Sequence, residues 1–291
     1  MKLESLNTLD KLIIPKRGSA SFWNWFDMKI LFFGDIIGKI GRNGLKQILP
    51  ELKKEYEPDL VIANAENLAH GLGVSPKILQ EMIDSGIDFF TSGNHVLSKP
   101  EAEKLLNAPN SVLIRPANYI GDFPGAGYKV IEVGSKSVLI INLMGRVFIK
   151  DNFDCPFHKI DEILAKFENS NLAAIIVDFH AEATSEKVAF GWYVDGRVSA
   201  VLGTHTHVPT ADLRILPQGT AYISDVGMVG ATDSVIGDKK EPIIQSFLAG
   251  TGPSIEIPEE GEVTVNGVFL EIDAHSKKVI NFSRIDRKVK V

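Results

Sequence analysis

The chain has 291 residues, of which 44% are hydrophobic and 23% charged, a balance typical of a globular protein with a substantial core. Its formal net charge of −6 argues against broad nucleic-acid binding through a basic face. The single cysteine, Cys155, excludes an intramolecular disulfide and an all-thiolate metal site, which fits a reducing, cytoplasmic location.

The first 27 residues differ from the rest of the chain. They lack hydrophobic periodicity and carry four aromatic side chains within residues 22–26. We predict an extension, or a mis-set start, that is partly disordered and precedes a single domain over residues 28–291. A packing or partner-binding segment is the alternative, because exposed aromatic side chains are costly. No stretch approaches the ~20 apolar residues that span a membrane, and residues 12–14 are too short for a signal-peptide core.

Strands and helices alternate from Met28 onward. Strands are predicted at residues 28–33, 59–63, 87–90, 138–143 and 173–177. Helices are predicted at residues 43–56 with a local break at Pro50, 76–86 after Ser75, 100–106, 158–168 and 184–194 with Thr184 as the cap. This alternation predicts an α/β layered fold, with a mainly parallel central sheet or sheets flanked by helices.

The last part of the domain has a different pattern. Residues 263–265 and 268–272 flank Asn266-Gly267, the dipeptide most typical of a two-residue hairpin. With a further strand over residues 278–285, this predicts an antiparallel C-terminal meander. The glycine-rich residues 225–237 precede this meander. Three roles are open for them: a wall of the site, a subunit contact, or a long exposed connection.

Potential metal ligands follow five apolar runs. They are Asp35, Glu66, Asn67, Asn94, His95, His180, His205 and His207. Because ligands bind outside the carboxyl ends of strands in open α/β sheets, we expect these side chains to converge at one sheet edge. His205 and His207, two positions apart after a strand, then face the same way.

This ligand set is too large for one ion and suits two ions that share a bridging carboxylate. Oxygen and nitrogen ligands without thiolate favour iron, manganese or zinc. Two ions ~3.5–4 Å apart are suited to in-line displacement at phosphorus, because they activate a bridging water and neutralise developing charge. A remaining imidazole can protonate the leaving oxygen. The residues therefore predict a dinuclear phosphoesterase.

The order and spacing of these residues resemble the calcineurin-like metallophosphoesterases, most closely the bacterial YmdB-type 2′,3′-cyclic-nucleotide phosphodiesterases. The motifs that carry the resemblance are Gly34-Asp35, Asn64 to Asn67, Gly93-Asn94-His95, His180 and Gly203-Thr204-His205-Thr206-His207. Residues 178–187 and 191–193 also match the subgroup, and the resemblance extends from Met28 to about Ile285. Two departures from the wider superfamily are shared by the subgroup: no histidine follows Asp35 at the D-x-H position, and Glu66 replaces the bridging aspartate.

The resemblance implies a role for each ligand. Asp35, Asn67 and His207 would hold one metal ion, and Asn94, His180 and His205 the other. Glu66 would bridge the two ions, and His95 would act as the acid or transition-state stabiliser. The resemblance also implies two transition-metal ions per chain, with iron expected first and manganese or zinc as alternatives. It further implies a 2′,3′- or 3′,5′-cyclic nucleotide as the small phosphodiester substrate, and a homodimer or homotetramer with no membrane association.

Two other functions stay open at this point. One is a phosphomonoesterase or nucleotidase with the same metals, and the other is a non-catalytic metal- or nucleotide-binding regulator that acts through RNA or protein partners. Asp178 either supports a ligand or makes a structural contact, and Thr204 and Thr206 position phosphate or cap their loop. We assign His158 and His275 no functional role, and His70 at most a substrate contact.

Overall fold

A computed structural model describes residues 12–14, 27–252 and 254–291. Its strands are β1 (Leu12–Ile14), β2 (Asp27–Ile36), β3 (Leu60–Asn64), β4 (Phe89–Thr91), β5 (Tyr128–Val133), β6 (Lys136–Met144), β7 (Ala174–His180), β8 (Ala200–Thr204), β9 (Arg214–Ile215), β10 (Ala221–Ile223), β11 (Met228–Ala231), β12 (Glu262–Asp273) and β13 (Val279–Lys290). Its helices are α1 (Gly38–Tyr56), α2 (Pro76–Asp84), α3 (Ala102–Leu106), α4 (Pro156–Lys166), α5 (Thr184–Tyr193) and α6 (Lys240–Ala249). The aromatic residues within 22–26, for which a packing or partner-binding role is the alternative, lie outside the described ranges.

The strands form two sheets. The first sheet has the order β13-β12-β11-β2-β3-β4, with β12 also pairing directly with β2, and the second has the order β1-β5-β6-β7-β8-β10-β9. In the first, β2, β3, β4 and β11 run parallel, and in the second β6, β7, β8 and β10 do. The predicted α/β fold, with mostly parallel strands and antiparallel C-terminal strands, is confirmed.

The sheets stack face to face with helices on their outer sides. One buried cluster joins β2 and β3 of the first sheet, through residues such as Phe32 and Ile62, to Ile140 and Ile176 of the second. A second cluster packs α1, α2 and α3 on the outer face of the first sheet. A third packs α4 and α5 on the second sheet. Because both faces of the central strands are covered, those strands are apolar throughout rather than alternating.

The hairpin predicted at Asn266-Gly267 is wrong. Strand β12 continues unbroken through both residues, and its hairpin with β13 turns at residues 274–278 instead. At this dipeptide β12 changes its neighbour from β11 to β2. A Cβ atom on Gly267 would lie 2.8 Å from the Phe32 carbonyl oxygen, and the Asn266 amide nitrogen donates to Asp286 at 2.8 Å. The two residues therefore lie where β12 changes its pairing partner at close range, and not in a turn.

Several predicted element boundaries shift. Helix α1 begins at Gly38 and continues through Pro50, where a local break was predicted. Ala183 occupies the N-cap position of α5, and Thr184 is the first helical residue. Strand β5 was not predicted, and it pairs with β1, which is formed by three residues of the predicted N-terminal extension. Within the described ranges, no helix is long and apolar enough to cross a membrane.

Candidate active site

The predicted ligands lie at one edge of the stacked sheets. Asp35 is near the end of β2, Glu66 and Asn67 follow β3, Asn94 and His95 follow β4, His180 ends β7, and His205 and His207 follow β8. Asp35 and His180 are fully buried, and Glu66 and Asn67 are nearly so. The site draws on both sheets, because β2, β3 and β4 belong to the first and β7 and β8 to the second.

Imidazole and carboxylate groups approach one another closely at this edge. The His180 Nε2 atom lies 3.4 Å from Glu66 Oε1 and 3.0 Å from His205 Nδ1. Asp35 Oδ1 lies 3.8 Å from His207 Nε2 and 3.9 Å from His180 Nδ1. Five of the eight predicted residues thus form one contiguous polar cluster. His95 adjoins it, with its Nε2 atom 4.0 Å from Glu66 Oε1 and 3.3 Å from Asn94 Nδ2.

Within the described part of the chain, four buried oxygen atoms at this site have no hydrogen-bond partner: Asp35 Oδ1, Glu66 Oε2, Asn67 Oδ1 and Asn94 Oδ1. An unsatisfied buried polar atom costs roughly 1–3 kcal/mol, so four at one site call for an electropositive partner. Over the same described residues, His, Cys, Asp and Glu side chains by themselves form no group of three or more that holds a metal ion. The unpartnered amide oxygens of Asn67 and Asn94 add to the donors that a cation could use here.

Each of the three histidines of the cluster has one ring nitrogen bound to an outer partner. His207 Nδ1 donates to the Ile236 carbonyl oxygen at 2.8 Å, and His205 Nε2 lies 3.2 Å from the Glu182 carboxylate. Since these oxygens can only accept, the proton sits on the outer nitrogen and the other nitrogen faces the site bare. Outer partners of this kind are typical of histidines that ligate metals.

The tautomer of His180 is set by Asp178 through Thr204. The Thr204 hydroxyl donates to Asp178 Oδ1 at 2.6 Å, and it lies 2.9 Å from His180 Nδ1. Because that hydroxyl has a single hydrogen, its oxygen accepts the His180 Nδ1 proton, and His180 Nε2 is left bare. The bare nitrogens of His180 and His205 then face each other at 3.0 Å, an arrangement that a cation stabilises.

Asp178 is also held from the first sheet. The Asn64 amide nitrogen donates to Asp178 Oδ2 at 2.9 Å, and the Thr91 hydroxyl donates to the same oxygen. Burial raises the pKa of Asp178 to about 7, although the three donors oppose this shift. Of the two alternatives open for Asp178, the contacts favour support of a ligand. Thr204 is buried and fully engaged, so it is not free to bind phosphate.

Burial controls the protonation of the cluster. It raises the pKa of Glu66 to about 7, and it lowers the pKa of His180 to about 4. The pKa of His205 falls to about 2, first through burial and then through repulsion by His180 and His207. Neutral imidazoles are the form that binds metal ions. A bound cation would in turn favour the ionised form of Glu66 and Asp35.

The loop that carries His205 and His207 is supported by a buried ion pair that sequence analysis missed. Both histidines have positive φ angles, 98° and 65°, a conformation that non-glycine residues rarely adopt. Beneath them, Lys187 Nζ donates to Asp225 Oδ2 at 2.7 Å and to the Thr204 carbonyl at 2.8 Å. The Thr206 backbone and hydroxyl both donate to the same Asp225 oxygen. The signal available in the sequence was Lys187 three residues before Phe190, which places both on the same face of the predicted helix.

Gly93 makes room for the cluster. A Cβ atom at this position would lie 2.2 Å from Glu66 Oε2 and 2.4 Å from His180 Nε2. Any side chain here would occupy the space between these two groups. Glycine at this position therefore leaves the space beside Glu66 Oε2 and His180 Nε2 free.

His95 differs from the other histidines because 42% of its side chain is exposed. Its backbone nitrogen donates to Glu66 Oε1 at 3.1 Å, and its ring lines the cavity. The imidazole can therefore reach a bound molecule while the backbone remains tied to Glu66. His70, His158 and His275 are exposed and do not line this cavity.

The cluster opens into a cavity of about 340 Å³, within the ~300–1,000 Å³ of typical small-molecule sites. Its lining comprises Ile37, Glu66, Asn67, Gly71, Leu72, His95, His180, Glu182, His205, Thr206, His207, Ile236, Asp238 and Ile255. The glycine-rich residues 225–237 contain β11, support the histidine loop through Asp225 and reach the cavity with Ile236. Of the three roles considered for this segment, these contacts favour a wall of the site.

Known proteins share both the sequence and the fold. A model of the family described as YmdB-like protein matches residues 31–285. The chain is 46% identical over 259 residues to the 2′,3′-cyclic-nucleotide 2′-phosphodiesterase of Bacillus subtilis, a match that covers 89% of this chain and 96% of that protein.

Two crystal structures are similar over nearly the whole chain. One is a phosphatase from Mycoplasma pneumoniae, with a TM-score of 0.84, 41% identity, and coverage of 91% of this chain and 94% of that one. The other is a hypothetical protein from Thermus thermophilus, with a TM-score of 0.83, 38% identity, and coverage of 90% and 99%. The family match spans the strand-end motifs and the site they form, and the chain therefore belongs to the YmdB-like family of metallophosphoesterases and is a phosphoester hydrolase.

Proposed function

We propose that the protein is a dinuclear metal-dependent phosphodiesterase that hydrolyses cyclic nucleotides, with 2′,3′-cyclic nucleotides as the first candidates. The observation that carries this proposal is the combination of four unpartnered buried oxygens with three bare imidazole nitrogens around one cavity of the described structure. The activity of the Bacillus subtilis relative supports the choice of substrate.

We propose for the ligands the roles that the resemblance implies. Asp35, Asn67 and His207 would hold one ion, and Asn94, His180 and His205 the other, with Glu66 between them. The unpartnered oxygens of Asp35, Asn67, Asn94 and Glu66 are available for this purpose. Such a mixed oxygen and nitrogen set suits iron, manganese or zinc. Ions bound here would lower the pKa of a coordinated water and offset the charge that develops on the phosphoryl group.

The residues of the chain itself contribute orientation and proton transfer. His95 is exposed to the cavity and would donate a proton to the departing oxygen of the ester. Thr204, Glu182 and the Ile236 carbonyl hold the three imidazoles of the cluster in one tautomer before substrate binds. Preorganised groups of this kind account for much of the rate enhancement in enzymes.

The decisive experiment combines elemental analysis with two assays on one sample purified without chelator. We expect about two iron, manganese or zinc ions per chain, with faster turnover of bis-p-nitrophenyl phosphate than of the mono-ester. A clear preference for the mono-ester would favour the phosphomonoesterase alternative. One ion or none, with no turnover after metal is added back, would favour a non-catalytic binding protein.

A cytoplasmic location and a homodimer or homotetramer stay predictions, and light scattering would test the oligomer.

A further inference from the structure

The lining of the cavity includes four aliphatic side chains that hydrolysis at phosphorus does not require. They are Ile37, Leu72, Ile236 and Ile255, which come from four separate segments of the chain, and we call them together the aliphatic wall. Leu72, Ile236 and Ile255 are 37%, 48% and 63% exposed. Single exposed aliphatic residues are common, but several that converge on the mouth of a polar cavity form a surface suited to an apolar ligand group.

The segment that carries Ile255 is anchored beside the cavity through its neighbours Glu256 and Ile257. A Cβ atom on Gly38 or Gly71 would lie 2.9 Å or 2.5 Å from the Ile257 side chain, so Ile257 packs directly on both glycines. The Lys239 backbone nitrogen also donates to the Glu256 carbonyl oxygen at 2.6 Å. These contacts hold Ile255 at the rim.

Ile236 connects this wall to the metal-ligand cluster. Its φ angle is 49°, a strained value for a β-branched residue that persists only where the surrounding structure imposes it. In this conformation the side chain lines the cavity, while the carbonyl oxygen accepts the His207 Nδ1 proton at 2.8 Å. Ile236 thus contributes its side chain to the aliphatic wall and its carbonyl oxygen to the support of His207.

We propose that the aliphatic wall, comprising Ile37, Leu72, Ile236 and Ile255, binds the nucleobase of the substrate while the polar wall holds its phosphate. This inference rests on the proposed function. A cyclic nucleotide has one anionic end and one flat, largely apolar end, which matches the two walls. Among the described residues, no aromatic side chain lines the cavity apart from the histidines, so the base packs on aliphatic groups. Contact of this kind depends on the presence of a base and discriminates weakly between bases.

The test compares a cyclic nucleotide with a cyclic diester that lacks a base. The substrates are 2′,3′-cyclic AMP and glycerol 1,2-cyclic phosphate, and the readout is the ratio of their kcat/KM values. We expect the wild-type protein to prefer cyclic AMP. In the double variant Leu72→Ala/Ile255→Ala the ratio should fall roughly 5- to 50-fold, mainly through KM for cyclic AMP, because apolar contact with the base is lost.

The matched control is Ile280→Ala, since Ile280 is 55% exposed on β13 and does not line the cavity. This variant should keep the wild-type ratio. Thermal unfolding and metal content of both variants verify that fold and site are intact. Ile236 is left unchanged because its carbonyl also supports His207.

The outcomes separate the two proposals. An unchanged ratio in the double variant, or equal kcat/KM for both substrates in the wild-type protein, would overturn the nucleobase wall and leave the phosphodiesterase in place. Hydrolysis of neither diester by metal-loaded protein would overturn the proposed function, and the wall with it. We also expect cyclic AMP and cyclic CMP to differ by less than about tenfold, and a difference of roughly 10⁴-fold would show polar base recognition instead.

Discussion

At the scale of single residues, the site depends on which nitrogen of each histidine carries the proton. Thr204, Glu182 and the Ile236 carbonyl each bind the outer nitrogen of one imidazole. The inner nitrogen of His207 consequently faces Asp35 Oδ1, and the inner nitrogens of His180 and His205 face each other. Because low pKa values keep His180 and His205 neutral, these tautomers persist across the physiological pH range. The proposed chemistry of the site therefore depends on residues that bind the outer nitrogens of its imidazoles.

Replacement of Thr204 tests this arrangement. Thr204→Val has nearly the same shape but lacks the hydroxyl that connects Asp178 to His180. We expect the affinity of the metal-free protein for added Mn²⁺ to fall roughly 10- to 100-fold, as is usual for loss of an outer partner of a ligand. Nitrogen NMR of labelled histidine should show mixed tautomers for His180. Thr204→Ser keeps the hydroxyl and should restore both properties, whereas unchanged Mn²⁺ affinity in Thr204→Val would contradict this role.

Replacement of His95 tests its role as the acid. In His95→Gln we expect kcat to fall roughly 10²- to 10⁴-fold for a cyclic nucleotide, with metal content unchanged. The loss should be much smaller for a p-nitrophenyl diester, because p-nitrophenolate leaves without protonation. The exposed His158 on α4 offers the control His158→Gln, which should behave as wild type. Equal losses for good and poor leaving groups would show that His95 does not donate the proton.

At the scale of elements, the loop between β8 and β9 is held in an unfavourable conformation by its surroundings. His205 and His207 both have positive φ angles. The Lys187–Asp225 pair beneath them joins α5 to the segment that precedes β11, and side chains of both partners are almost fully buried. Such a conformation persists only where neighbouring groups impose it. We infer that this ion pair imposes the loop geometry that brings the two histidines to the site.

Removal of the lysine should therefore affect stability as well as the site. Lys187→Met would leave Asp225 buried without its counter-charge, which typically costs about 3–5 kcal/mol in the free energy of unfolding. Denaturant unfolding measures this loss, and metal content should fall in parallel. The matched control is Lys288→Met, whose partner Glu262 is exposed, and here we expect little change. If Lys187→Met were as stable as the control, the proposed support of the loop would be wrong.

At the scale of the whole molecule, the site joins the two sheets. Asn64 and Thr91 of the first sheet reach Asp178 of the second, and Glu66 approaches His180 across the same boundary. Metal ions held between these groups would connect the sheets at the edge where buried oxygens of the described residues otherwise lack partners. The folded state would then be stabilised by metal binding, because the unfolded chain does not present the assembled ligands.

Chelation should accordingly lower the melting temperature of the protein. At a free metal concentration of about 100 times Kd, binding to the folded state alone contributes about 2.7 kcal/mol. We expect calorimetry to show a lower Tm after chelator treatment and recovery on addition of Mn²⁺, rising with its concentration. Asp35→Ala removes a proposed ligand and should show a much smaller metal-dependent shift. Identical Tm values for chelated and metal-loaded wild-type protein would contradict a metal site between the sheets.

Local patterns in the sequence were sufficient to locate the candidate ligands and most elements. An apolar run that ends in Asp, Asn, Glu or His marks a strand end with a polar group, and parallel strands bring such ends to one edge. Asp35, Glu66, His180 and His205 lie together at such an edge in the structure. Strand direction predicts that these groups lie at strand ends that share an edge, whereas their contact across the two sheets also requires the sheets to stack with those ends together.

Only the tertiary structure decided features that depend on contacts between distant segments. Three such features arise from neighbours far away in the sequence. They are the division into two stacked sheets, the change of pairing partner of β12 at Gly267, and the Lys187–Asp225 pair. The hairpin prediction at Asn266-Gly267 failed for this reason, since pairing with β2 and β13 outweighs the local turn preference. The same holds for the cavity, whose aliphatic wall is assembled from four separate segments. Sequence determined which groups are available for the chemistry, and long-range packing determined how they are oriented and what surrounds them.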